Sequence, residues 1–327
     1  MMGSSGRGAA CALAVAVAGI PLVVAGRAQA QGAGASGATV LQLLAGSRAA
    51  ALSGAYAAAT TDADVLFYNP AGIAGLTAAA GASYQRHVED IGVATASGAI
   101  RAGRLVFGAS AVFLDYGSID ELVPDPDFGG QTGVATGNTV GASEMAARIA
   151  AALPLMDGRL HVGAAAGFVS TSIADASRGT AVLDIGAQYL LSQVTLGAAL
   201  RNIGGSLSGG GLADAPMPTE VRFGAMVQLV RPAGVGAIAS ADLVHGLNEG
   251  VTGVVAGVEA GLLPRSASDV GAVARLGYNG GTGSDGQGAI QFGGGLSLGG
   301  IAIDYAYQNY DLFGSLHRFG VRWTRMP

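Results

Sequence analysis

The chain has 327 residues and a formal net charge of −5, with only 12% charged residues, 50% apolar residues, 56 glycines and one cysteine. All 17 basic residues are arginines, and the acidic balance excludes the clustered positive charge that a nucleic-acid binder needs to displace counterions. The lone Cys11 excludes a disulfide framework, and beyond residue 30 no apolar run approaches the roughly 20 residues of a membrane-spanning helix. Soluble domains average about 25% charged residues. A chain this poor in charge, without apolar helices, is expected to be an all-β protein, a transmembrane antiparallel β-barrel whose apolar content is spread over alternate residues.

In chain order, residues 1–30 read as a cleaved signal peptide. Arg7 supplies the basic start, "AACALAVAVAGIPLVVAG" the apolar region, and Ala28-Gln29-Ala30 the small-x-small cleavage pattern before Gln31. Residues 31–77 form a separate N-terminal plug segment. Its stretch "SRAAALSGAYAAATTDAD" (47–64) reads as a small-residue helix, and "LFYNPAG" (66–72) ends it, because proline cannot continue a helix and drives the preceding residue to extended geometry.

Residues 78–327 are expected to form the barrel. Alternation and turn residues mark about fourteen strands, near 78–87, 91–100, 104–114, 143–153, 159–170, 179–190, 193–202, 218–230, 234–245, 250–263, 269–279, 287–297, 299–309 and 315–325. In "IAIDYAYQ" (301–308), Ile301, Ile303, Tyr305 and Tyr307 alternate with Ala302, Asp304, Ala306 and Gln308, and successive strand residues face opposite ways. Connections of 115–142, 171–178, 203–217 and 280–286 alternate with short ones at 101–103, 191–192, 231–234 and 298–300. That is the long-loop, short-turn asymmetry of an outer-membrane barrel with both ends in the periplasm. The short connections near 88–90 and 246–249 break the pattern.

Three blocks carry a family resemblance. The first is Gly46, Arg48, Ala49, Gly54, Ala55, Tyr56, Asp62, Asp64, Tyr68, Asn69, Pro70, Ala71 and Gly72; the second is "LGAALRNIGGSLSGGGLADAPMPTEVRFGA" (196–225); the third is "IDYAYQNYDLFGSLHRFGVRW" (303–323). Together they resemble the PorV/PorQ family of outer-membrane proteins, relatives of the FadL-type (OMPP1/FadL/TodX) channels. The four residues after Trp323 depart from the aromatic ending common in such barrels. The resemblance implies that 43–76 is a hatch folded into the lumen. Asp62 and Asp64 would pair there with inward arginines such as Arg201, Arg222, Arg318 or Arg322, although a purely structural cap is the alternative. Asp184, Glu220, Asp242, Arg275 and Asp304 also face inward by alternation, either as a bracing network or as substrate contacts.

Other motifs carry little chemistry. "GLSLG" around Ser297 lacks the strand-to-helix turn of a nucleophile elbow, and "GTGSDG" (281–286) leads into a strand, where it cannot cradle phosphate. His87, His161, His245 and His317 make no metal-ligand spacing, and the acids of "PDPDFGG" (124–130) read as solvated loop residues. No catalytic residue, metal or cofactor is expected. Two functions remain open: a plugged channel for small hydrophobic molecules in outer-membrane lipid, and a protein-interaction component of a type IX-like secretion system that docks secreted cargo.

Overall fold

The computed structural model describes residues 36–86, 91–230, 235–262, 270–281, 287–310 and 314–325. The signal peptide and the connections at 88–90, 231–234 and 282–286 lie outside the described residues. Strands β1 (Ala78–Arg86), β2 (Gly92–Ala102), β3 (Leu105–Pro124), β4 (Gly133–Leu155), β5 (Leu160–Ile173), β6 (Ala176–Leu190) and β7 (Val194–Gly204) form the first half of the wall. A small hairpin, β8 (Leu207–Gly209) and β9 (Leu212–Ala215), interrupts the next connection. The second half comprises β10 (Glu220–Val230), β11 (Val235–Gly246), β12 (Thr252–Leu262), β13 (Val270–Gly280), β14 (Gln287–Leu298), β15 (Ile301–Tyr310) and β16 (Gly314–Thr324).

Each wall strand pairs antiparallel with its neighbours, and the β1–β16 ladder (Ala79 opposite Thr324) together with the β5–β6 ladder leaves no open edge. The barrel therefore closes with fourteen strands. Closure gives every wall strand a partner on both sides over the height shared with its neighbours, as hydrocarbon surroundings require. The period-2 expectation holds: Ile149, Ile303 and Phe319 are exposed on the outer face, while Arg148, Asp304 and Arg318 are buried on the inner one. On the outer wall, Ala96, Ala111, Ala147, Ile149 and Phe168 line a shallow concavity of about 780 Å³ across β2–β5.

Two expected loops are mostly strand. The β3–β4 ladder continues past the β2 rim as far as Pro124 opposite Gly133, and β5 and β6 are joined by two residues after Ile173 opposite Ala176. The wall is thus tall on one side. Beyond the apolar layer neither strand face need be greasy, so the alternation that marks a strand in the sequence disappears there.

The N-terminal segment threads the lumen from end to end. Ser36 Oγ donates to Glu249 in the β11–β12 connection, and the Gly37 amide donates to Pro216 O beside the β8–β9 hairpin, 2.9 Å. Both contacts are at the loop end. At the opposite end, Thr77 O accepts from Arg101 N and the chain enters β1. The expected long helix is only α1 (Ser47–Ala51). Ser53 and Gly54 take left-handed conformations (φ 55° and 75°), which stop it, and the segment's other helical pieces are 3-10 turns at Thr39–Leu41, Ala63–Phe67 and Pro70–Gly75. Asn69 and Pro70 begin a turn instead of terminating the segment. The Asn69 side chain accepts from Ala71 N, and Pro70 sits where a missing N–H costs nothing.

The segment lies directly on the wall because inward-facing glycines make room for its backbone. A Cβ on Gly163 would lie 2.6 Å from Ala71 N, on Gly257 2.8 Å from Leu52 Cβ, and on Gly277 2.6 Å from Ser53 N. Real Cβ atoms do not approach so closely. Much of the glycine in this sequence therefore forms a belt around the plug.

Candidate functional site in the barrel lumen

Arg48 on α1 is the centre of a ring of alternating charges. Its Nε and Nη2 donate to the two carboxylate oxygens of Glu259 at 2.9 and 2.8 Å, and its Nη1 reaches Asp62 Oδ2 at 3.0 Å. Glu259 also accepts from Arg275 Nε (2.5 Å), Arg275 Nη1 donates to Asp304 Oδ1 (2.7 Å), and Arg322 bridges Asp304 (2.6 Å) and Asp62 (2.9 Å). Three arginines and three carboxylates close on themselves, joining the plug to β12, β13, β15 and β16. Charge-assisted hydrogen bonds of this kind are stronger than neutral ones. Burial raises the Asp62 pKa, but the Arg322 and Arg48 guanidiniums outweigh it and hold the group below the usual carboxylate range.

Asp64 departs from the expected arginine pairing. It accepts from Ser97 Oγ (2.6 Å) and is wedged beside Gly46 and Gly81, at each of which a Cβ would lie 2.5–2.6 Å from a carboxylate oxygen. Burial, then the neighbouring Asp62 charge, push its pKa up to about 6.

A second cluster grips the backbone of the plug. Asp242 Oδ2 accepts from Tyr56 N (3.0 Å) and Ala57 N (2.9 Å), and Arg222 Nη1 donates to Gly54 O (2.9 Å). Arg222 and Arg201 share Glu220, and both guanidiniums face the Tyr68 ring at 5.3 and 5.8 Å. Asn69 Nδ2 donates to Ala57 O (2.8 Å), and Gln188 Nε2 to Ala59 O (2.8 Å). Gly72 is closed in by Val65 and Ala59. Arg318 donates to Gln85 Oε1 (2.9 Å), not to Asp62 or Asp64 as expected.

Sequence reasoning missed Glu259 and Arg148. Arg148 pairs with Asp184 (2.8 Å) and donates to Asn202 Oδ1 (2.7 Å). Both were findable, since each occupies an inward position of an alternating strand: Val255, Gly257, Glu259, and Glu144, Ala146, Arg148. Asn202 was not. A register shift between β6 and β7 places Arg201 and Asn202 together opposite Asp184, with Asn202 at φ 56°, and both point inward.

Towards the loop end the plug packs on apolar side chains around a buried carboxylate, Glu144, which accepts from Val40 N (2.8 Å) and Tyr116 Oη (3.2 Å). Val40 and Leu41 belong to one buried cluster with Val112, Leu114, Val169, Leu207 and Met217. Between this region and the second arginine cluster lies a cavity of about 40 Å³, bordered by Leu44, Tyr68, Arg201 and Arg222. It has room for a water molecule or so, not for an organic solute. Among the described residues, no group of His, Cys, Asp and Glu has a metal-holding arrangement. Ser297 sits inside β14, not on a turn.

No protein-family model matches the chain, and no curated protein sequence does. Solved structures do. The toluene transporter TbuX of Ralstonia pickettii aligns at a TM-score of 0.56 and 15% identity, covering 86% of this chain and 98% of that one. The monoaromatic hydrocarbon channel CymD aligns at 0.60 and 12% identity over the same shares. This chain shares the barrel fold of these two proteins.

Proposed function

We propose that the protein is an outer-membrane channel that admits small apolar molecules when its N-terminal plug moves. Residues 31–77 act as plug and hatch, 78–327 as the wall, and residues 1–30 as the signal that directs export. One observation carries the reading: at the loop end Val40 and Leu41 pack on the apolar side chains Val112, Leu114, Val169 and Leu207, around the buried Glu144 carboxylate that holds the Val40 amide. An apolar solute can replace those side chains without loss of burial, each such side chain contributing about 1.5–3 kcal/mol. The structural relatives named for toluene and monoaromatic hydrocarbons support the same substrate class. The two charge clusters hold the closed plug in register, and passage requires the segment, α1 included, to leave the wall. No bond is made or broken in this account.

The test is to tether the plug. A Cβ at Gly320 would lie 3.1 Å from Ser47 Cβ, near the roughly 3.8 Å spacing of a disulfide. Cells expressing the Ser47→Cys/Gly320→Cys pair should take up labelled toluene at the background rate when oxidised and at the wild-type rate after reduction. Wild-type uptake by the oxidised protein would refute plug movement at α1.

The PorV/PorQ resemblance, carried by the three sequence blocks, supports a second reading, the docking of secreted cargo. The β3–β4 extension favours it, because it projects beyond the rim with Ile119 and Leu122 exposed.

A further inference from the structure

The β2–β3 ladder ends at Gly92 opposite Asp115, and the β4–β5 ladder at Ala142 opposite Ile173. Beyond these points β3 and β4 pair only with each other, through Ile119–Val140, Leu122–Ala135 and Val123–Val134. Among the described residues, 116–124 and 133–140 therefore present free strand edges along about 30 Å of hairpin. An unpaired edge is a template for another strand. Its side chains are unusual for a protected one: Ile119 is 75% and Leu122 63% exposed, with Val123 and Val134 also open.

The charge is one-sided. Asp115, Asp120, Glu121, Asp125 and Asp127 lie between residues 115 and 142, and no basic residue does. Five like charges oppose pairing with a second copy of the same hairpin, since like charges directly across a ladder are destabilising. They also repel phosphate-bearing headgroups and nucleic acid. The register shifts at Asp115/Ser118 and Asp120/Leu122 twist the edge, so a long flat strand is also excluded. What fits is a short, extended, basic segment with apolar side chains in alternation.

We propose that this hairpin is an interaction surface for a basic polypeptide segment, which adds to a free edge as a further strand. Backbone hydrogen bonds supply the affinity, Ile119 and Val123, on one face of β3, receive alternate apolar side chains, and the acids select for arginine or lysine. The proposal is independent of transport through the lumen.

The test uses the full chain in zwitterionic nanodiscs and a ten-residue peptide alternating lysine and valine. Binding should be saturable and should slow amide exchange within 116–124 or 133–140. The double variant Asp120→Asn/Asp127→Asn, which leaves the hairpin bonds to Glu121 and Asp125 in place, should bind about tenfold more weakly. A glutamate–valine peptide should not bind, and neither should the lysine peptide N-methylated along one edge. Equal binding of the N-methylated peptide would reduce the effect to charge attraction and overturn strand addition. Equal binding of the acidic peptide, no binding at all, or self-association of the protein through this hairpin would each overturn the proposal.

Discussion

Replacing Arg48 with methionine should loosen the plug while leaving the wall closed. The substitution keeps much of the side-chain volume but removes the cation that, alone among the described residues, touches both Glu259 and Asp62, and it takes one member out of a closed six-charge ring. Both carboxylates are fully buried or nearly so. Removing one partner from a buried pair typically costs about 3–5 kcal/mol, because the other charge is left uncompensated. Amide exchange across 47–59 should accelerate by about a hundredfold or more, with the strands unaffected. Adding Glu259→Gln should recover part of the protection, since the charge left behind is then removed. Unchanged exchange in the single variant would show that the ring does not hold the plug.

Gly277→Val should show opposite effects in the two parts of the molecule. Valine suits a strand better than glycine, which weakens a strand interior, so the wall should be as stable as before. Its side chain, however, enters the space of the Ser53 amide and the Leu52 carbonyl carbon, where a Cβ already falls within 2.8 Å. Overpacking costs typically about 1–3 kcal/mol, and more where the obstacle is backbone. The plug should exchange at least about tenfold faster over 52–57, while the heat-induced mobility shift of the folded barrel stays where it was. Leu276→Val, on the exposed face one residue away, is the control and should change neither reading.

These two positions also show what the sequence made legible. The wall was readable because lipid on one side and the plug on the other impose opposite chemistries on successive residues. All fourteen expected strands are present, within a few residues at most ends. The signal failed where one of those media is absent, as in 116–124 and 133–141, where water surrounds the hairpin. The plug was misread for a different reason. "SRAAALSGAYAAA" has high helix propensity, yet its path is set by contacts with Gly224, Gly257, Gly277 and Gly320 on the wall, and propensity yields to that surface. The inward charges were legible residue by residue, but not their pairing. Asp62 meets Arg322 across 260 residues of chain, and no local pattern encodes that closure. Asp64, expected to find an arginine, instead has Ser97 and two glycines.

The central claim is that the segment threading the lumen is the barrier to passage. The direct measurement is conductance across a planar lipid bilayer for the full protein and for a variant lacking residues 31–76, each first shown to be folded by its heat-dependent mobility. The account predicts that the full protein is silent and that the deletion variant opens stable, stepwise currents through an emptied fourteen-stranded wall. Stable currents from the full protein, or silence from the folded deletion variant, would contradict it.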